Sequence, residues 1–326
     1  MSEQQADAPR PGVISTIRYG KAGVSTYRTY ARPLAGIAPV PESQFVGREN
    51  VLLAAEIEVQ VLDDNFRPAY TEGDNSNVVA TDTMKNFIHR VSLDYDGATL
   101  EGWLLYLGRR FFETWDQLGA LRLSGRELPF VAAQVPSGDG FGGSGDSFAD
   151  SRVLFAEGRA DHAVAMLDVV RDGSGAQPVA LTSGRDGFHL IKVTGSAFKS
   201  FVRDAYTTLP EVTDRPLFIY LDLAWTYADL HDALADDHAR YVPAEQVRDV
   251  VQTVFHEFVS MSIQHLLHEM GQRLLARFPQ IAELTFEGQN RLWDTAVISE
   301  TDPKVKVYTD PRPPFGSIHL TLTRGE

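Results

Sequence analysis

Apolar and polar residues alternate without a break from Ala55 to Val61, which predicts a strand with one wet face. Two β-rich runs, Val13 to Tyr19 and Val24 to Tyr30, flank Gly20-Lys21-Ala22-Gly23 and predict a hairpin with the glycines in its turn. The short apolar run Val78 to Ala80 reads as the end of a buried strand that delivers Thr81 to a turn. Asp82 or Thr83 then caps a helix through Met84, Phe87, Ile88 and Val91, to about Asp94. A strand end meeting a helix start exposes hydroxyls, amides and a favourable dipole to an anion. A second helix is predicted from Leu100 to Trp115, with Trp103, Leu104, Leu107, Phe111 and Phe112 at helical spacing. Strand alternation returns from Leu118 to Leu123.

The second part of the chain repeats that order. Strands around residues 152–170 and 179–193 lead to a short helix near Ser196–Asp204 and a strand near Leu217–Trp225. A long helical segment runs from Ala244 to Arg277, followed by strands at Ile281–Phe286 and Ser317–Thr323. Trp115, Leu118, Leu121, Leu123 and Gly125 match Phe278, Ile281, Leu284, Phe286 and Gly288 at one offset, 163, half of the 326 residues. The match predicts a two-copy architecture. Residues 1–11 read as a disordered lead, 12–150 as the first copy and 151–326 as the second. The Gly-rich stretch 136–147 contains GxGxxG at Gly140, Gly142 and Gly145. No buried strand leads into it, no apolar helix leads out, and its aspartates would repel a pyrophosphate, so it reads as a flexible loop.

A hydrophobic content of 43% supports one large core or two ordinary ones. The 44 acidic residues against 30 Lys and Arg give a net charge of −14, which argues against nucleic acid as a partner. An anionic substrate would need a local basic pocket. The chain has no cysteine, which excludes disulfides, thiolate nucleophiles and Cys-based metal sites. Polar N-terminal residues and the absence of a membrane-length apolar run point to a cytoplasmic protein. His265, His268 and Glu269 share one helix with His256, but their spacing matches no zinc helix, and no metal is expected.

The segment Asn77-Val78-Val79-Ala80-Thr81-Asp82, continuing to Lys85-Asn86, resembles the NxVATDxxKN signature of urate oxidases. Further elements resemble the same family: Tyr19-Gly20-Lys21, Tyr106-Leu107-Gly108 with Phe111 to Thr114, and Ser196 to Arg215 as SxFxxFxRDxYTTLxExxDR. Pro311 to Gly316 resembles a PRPPYG tail of bacterial members. The resemblance spans residues 17 to 316. It implies an α+β tunnelling fold: two ββααββ halves with antiparallel sheets, helices on one face, and a β-barrel tunnel formed on assembly. It also implies a homotetramer with active sites between subunits, Lys21 and Thr81 from one chain and Phe198, Arg215, Ile263, Gln264 and Asn290 from its neighbour.

The implied reaction is oxidation of urate by molecular oxygen, without cofactor or metal, to 5-hydroxyisourate and hydrogen peroxide. It requires a urate dianion, so a desolvated Lys21 would act as base and the Thr81 hydroxyl would relay the proton. Arg215 would grip the anion with a bidentate fork, Gln264 would pair with an amide–imide edge, and Phe198 would stack on the ring. Ile263 and Asp82 would contribute backbone groups, while Thr81 and Asn290 bracket the oxygen site. Many members read Pro-Asn-Lys-His where this chain reads Gln289-Asn290-Arg291-Leu292, and leucine carries no protons. A purine-binding protein with a broken relay, or another purine or pterin enzyme of this fold, are the competing expectations.

Overall fold

The computed structural model describes residues 13–325 except 138–146, 159 and 174. Eight strands form one antiparallel sheet, in the order β1-β2-β3-β6-β7-β8-β9-β12. Its first four are β1 (Tyr19–Thr29), β2 (Leu52–Val61), β3 (Ala120–Glu127) and β6 (His162–Asp172). The others are β7 (Gly175–Lys192), β8 (Leu217–Tyr227), β9 (Ile281–Leu292) and β12 (Arg312–Thr323). Two-stranded ribbons stand apart, β4 (Phe130–Pro136) with β5 (Phe148–Glu157) and β10 (Thr295–Ile298) with β11 (Lys306–Tyr308).

Burial alternates along the strands. Ile57, Val59 and Val61 on β2, Leu121 and Leu123 on β3, and Leu217 to Trp225 at every second position on β8 are buried. Four long helices cover that face: α2 (Thr81–Ser92), α3 (Leu100–Thr114), α5 (Ala244–Glu257) and α6 (Ile263–Arg277). Short helices α1 (Arg67–Thr71) and α4 (His231–Leu234) lie in the connections. Trp103, Leu104, Leu107 and Phe111 of α3 are fully buried, each such side chain stabilising the fold by roughly 1.5–3 kcal/mol. The opposite sheet face is polar; there Arg122 grips Asp168 through two 2.7 Å bonds. Antiparallel sheet, helices on one face and the ββααββ order run twice agree with the fold class expected from sequence. The offset recurs in three dimensions: α2 and α5, and α3 and α6, begin 163 residues apart.

Several local expectations are corrected. The Gly20–Gly23 stretch is no hairpin turn but a bulge inside the single strand β1, which pairs with β2 on both sides of it. Gly23 absorbs the bulge at φ 69°, and a Cβ on Gly20 would lie 1.8 Å from the Val59 carbonyl oxygen. Val78–Ala80 is extended but belongs to no strand. The long C-terminal helical segment breaks at Phe258–Ser262, where Ser260 turns away to pair with Ser196. Residues 196–204 are not helical, because Ser196, Ala197 and Phe198 spend their backbone groups on Arg215, Ser260 and Val212 respectively.

Residue 150 lies inside β5, and the turn between β6 and β7 joins the two sets of main-sheet strands. The expected N-terminal lead and most of the Gly-rich stretch lie outside the described residues. Among the described residues no helix is long and apolar enough to cross a membrane.

Candidate active site

The expected site residues fall into two clusters. The first is built by β1 and α2 at one edge of the sheet. Val79 donates its N–H to the Tyr19 hydroxyl at 3.1 Å, pinning the lead into α2 against the start of β1. Tyr19 is in turn held edge-on against the buried Phe66 ring. This brings Thr81 and Asp82 beside the bulge that carries Lys21.

Asp82 does not cap α2, and neither does Thr83. Ala80 holds the cap position with no side-chain bond, so the N–H groups of the first turn stay open at the positive end of the helix. Asp82 instead turns along the helix, accepting from Lys85 at 2.5 Å and Asn86 at 3.0 Å. These contacts hold its carboxyl below the usual range, the Lys85 hydrogen bond first, with the Lys21 charge a smaller contribution. Asp82 and Lys21 therefore share one field.

The second cluster sits near the opposite edge. The parallel bridge between Ser196 and Ser260, with their buried hydroxyls 3.0 Å apart, ties the 196–215 loop to the joint before α6. Asp214 accepts from the Thr194 hydroxyl and the Gly195 N–H, both at 2.7 Å, and the Arg215 N–H donates to Ser196 at 2.8 Å. Arg215 is thereby aimed from the lead into β8. Its guanidinium lies 5.4 Å from the Phe198 ring centroid, and its buried Nε has no hydrogen-bond partner among the described residues. Burial lowers its pKa from the ordinary value. An anion would satisfy both the charge and the orphaned donor. Phe198 also stacks on Phe201 at 4.8 Å.

Ile263 and Gln264 open α6. Ser262 caps that helix by accepting from His265 at 3.1 Å, which leaves the Ile263 and Gln264 N–H groups facing outward. Ile263 is buried and Gln264 is exposed. Asn290 lies on β9 opposite Ile219, two residues beyond Gly288, where a Cβ would touch Leu267 and approach Ile263. Strand alternation therefore sets Asn290 on the helix-bearing face, just past the start of α6.

The motifs contain Tyr19, Ser196 and Asp214 but do not show the supports they make: the Tyr19 bond to Val79, Asp214 with Thr194, the Ser196–Ser260 pair and the Ser262 cap. Only the cap had a local signal, a serine directly before the apolar stripe that opens with Ile263. His265 and His268 lie beside Glu269 on the exposed side of α6, and among the described residues no three metal-binding side chains converge.

Within one chain the clusters stay apart. From β1 to β9 is six strand spacings, about 29 Å along the sheet at ~4.8 Å per strand.

A family model described as Uricase matches residues 181–319. The chain is 43% identical to the Uricase of Haloferax volcanii, covering 95% of this chain and 99% of that protein. It is also 43% identical to the "Uric acid degradation bifunctional protein PucL" of Bacillus subtilis, again over 95% of this chain, but it spans only 61% of that protein's length. The crystal structure of the Bacillus sp. TB-90 urate oxidase superposes with a TM-score of 0.88 at 41% identity, covering 95% of this chain and 100% of that one. The sheet and helices are thus those of the tunnelling fold, and this chain belongs to the uricase family.

Proposed function

We propose that this chain oxidises urate with molecular oxygen, as a cytoplasmic homotetramer whose active sites are shared between chains. Urate, O2 and water give 5-hydroxyisourate and hydrogen peroxide: urate loses two electrons to oxygen, and water supplies the new hydroxyl. The observation that carries the reading is the Arg215 guanidinium, half-buried beside Phe198 with an unpartnered Nε, in a protein of net charge −14. A chain so acidic keeps such a group uncompensated at a cost unless an anion completes it.

The sharing of sites is supported by the sheet. The two clusters lie six strands apart, and β1 and β12 are its free edges. Inside the chain β6, the fourth strand of the first set, pairs with β7, the first of the second. Repeating that joint between chains pairs β12 with the neighbour's β1 and carries Lys21 and Thr81 toward Gln264 and Asn290. Two sheets joined at both edges close a barrel, with the polar face lining its tunnel.

In this arrangement Arg215 holds the urate anion through its fork and Gln264 pairs with the amide–imide edge. Phe198 supplies an aromatic face, while the open amides at Asp82 and Ile263 favour negative charge. Lys21, covered by the neighbour, takes the second proton with Thr81 as relay, so that the dianion can pass electrons to oxygen. Asn290 and Thr81 bracket the oxygen. Leu292 carries no proton, so the relay rests on Lys21, Thr81 and water.

The test follows urate's ultraviolet absorbance with purified protein and a chelator, in air-saturated and oxygen-depleted buffer. Oxygen-dependent decay that survives the chelator and yields peroxide is expected. Bound urate without decay would instead identify a purine-binding protein.

A further inference from the structure

The repeat gives five of the proposed site residues a counterpart elsewhere in the chain. At the helix offset of 163, Thr81 corresponds to Ala244, Asp82 to Glu245, Gln264 to Glu101 and Asn290 to Glu127. Lys21 corresponds to Arg185 through the paired register: Lys21 stands opposite Val59 on β2, and Arg185 opposite Leu223 on β8. The bulge is copied with it. Register slips after both residues, Gly23 and Gly187 both have positive φ, and a Cβ on Gly20 or Gly184 would strike the carbonyl oxygen of Val59 or Leu223.

These counterparts come together within the chain, around the β6–β7 joint. Glu101, 4% exposed, accepts from the Ser183 hydroxyl of β7 at 2.7 Å and from the Tyr241 hydroxyl at 3.0 Å. Arg48, from the lead into β2, bonds Glu127 at 2.7 Å through one guanidinium nitrogen and Glu245 at 2.9 Å through another. Glu127 and Glu245 are the counterparts of Asn290 and Asp82. Arg185 is 4% exposed and engaged by Asp161 at 2.5 Å.

We infer that the β6–β7 junction is a second copy of the substrate-site architecture, closed by the chain's own ions. Each change removes a function the first copy needs. Amides that both donate and accept become carboxylates that only accept and would repel an anion. The Thr81 hydroxyl is lost at Ala244. The base becomes a permanently charged arginine already committed to Asp161. The planar Arg48 cation then spans the two groups whose counterparts flank the substrate, and locks the two halves where the active site leaves a gap. Naming these residues counterparts rests on the site proposed above; the ionic closure does not.

Two measurements test the inference. Equilibrium dialysis of the unaltered protein against xanthine, in oxygen-free buffer, should count one purine per chain. Two per chain would overturn the closed junction. A count of zero would sink the shared substrate site and leave the closed junction standing.

The second measurement uses Arg48→Ala, which should lower Tm by roughly 5 °C or more, because two part-buried carboxylates lose their cation. Low-millimolar guanidinium chloride should restore part of that loss where equal sodium chloride does not. No loss, or equal response to both salts, would overturn Arg48 as the filling group. The dialysis count needs no variant and decides the matter even if Arg48→Ala does not fold.

Discussion

Lys21 and Arg185 hold the same place in two copies of one β-bulge. Each is the last paired residue before the register slips, and pairing resumes at Val24 opposite Ile57 and at Phe188 opposite Leu221. One copy stands on the edge strand β1, close enough to the start of α2 for the Lys21 charge to act on the Asp82 carboxyl. The other aims its cation at Asp161 inside the chain. The same backbone device thus stands once on the edge strand β1 and once at the β6–β7 joint.

Replacing Lys21 with Met keeps the stem's apolar bulk and removes the proposed base. Turnover should fall by roughly 10²–10⁴-fold, the usual contribution of a positioned general base, with assembly unchanged by size-exclusion chromatography. Unchanged initial rates would remove Lys21 from the mechanism.

Arg215→Lys keeps a positive charge but loses the fork and the Nε donor. A charge-assisted bond contributes about 1.5–3 kcal/mol, so KM for urate should rise roughly ten- to a hundredfold. A KM equal to that of the unaltered protein would show that the guanidinium does not hold the substrate.

Asp186, inside the second bulge, bears on stability. Burial, with the Asp222 charge adding to it, pushes its carboxyl up to about 6 from an ordinary 3.8. Between those values the folded state holds a proton that the unfolded chain has released. Stability is therefore lost as pH rises through that window, and the loss persists above it. Asp186→Asn should raise Tm at neutral pH and match the unaltered protein below the window. A Tm difference that ignores pH would contradict this.

Much of the fold was legible in the residues. Alternation from Ala55 to Val61 and the apolar stripe from Trp103 to Phe112 located β2 and α3, because each buries one face against a shared core. Gly20–Gly23 misled, since glycines serve bulges as well as turns, and only the pairing of β2 along all of β1 decides between them. The break before α6 was hidden because Phe258 to Ser262 contains neither glycine nor proline; a pairing with distant Ser196 imposes it. At the site, the residue types were readable one by one. Their supports were not, because Tyr19 bonds 60 residues away and Ser196 pairs with Ser260 64 residues away. The proposed meeting of the two clusters was least legible, since it would depend on the free strand edges β1 and β12 of two chains.

The central claim, a site built from two chains, is tested most directly by mixing Lys21→Met with Arg215→Ala subunits. Each variant alone should be nearly inactive. In randomly mixed tetramers roughly a quarter of the sites pair an intact Lys21 with an intact Arg215 across an interface, and activity should return in that proportion. Properly mixed tetramers that stay as inactive as either parent would contradict the account, because both groups would then have to come from the same chain.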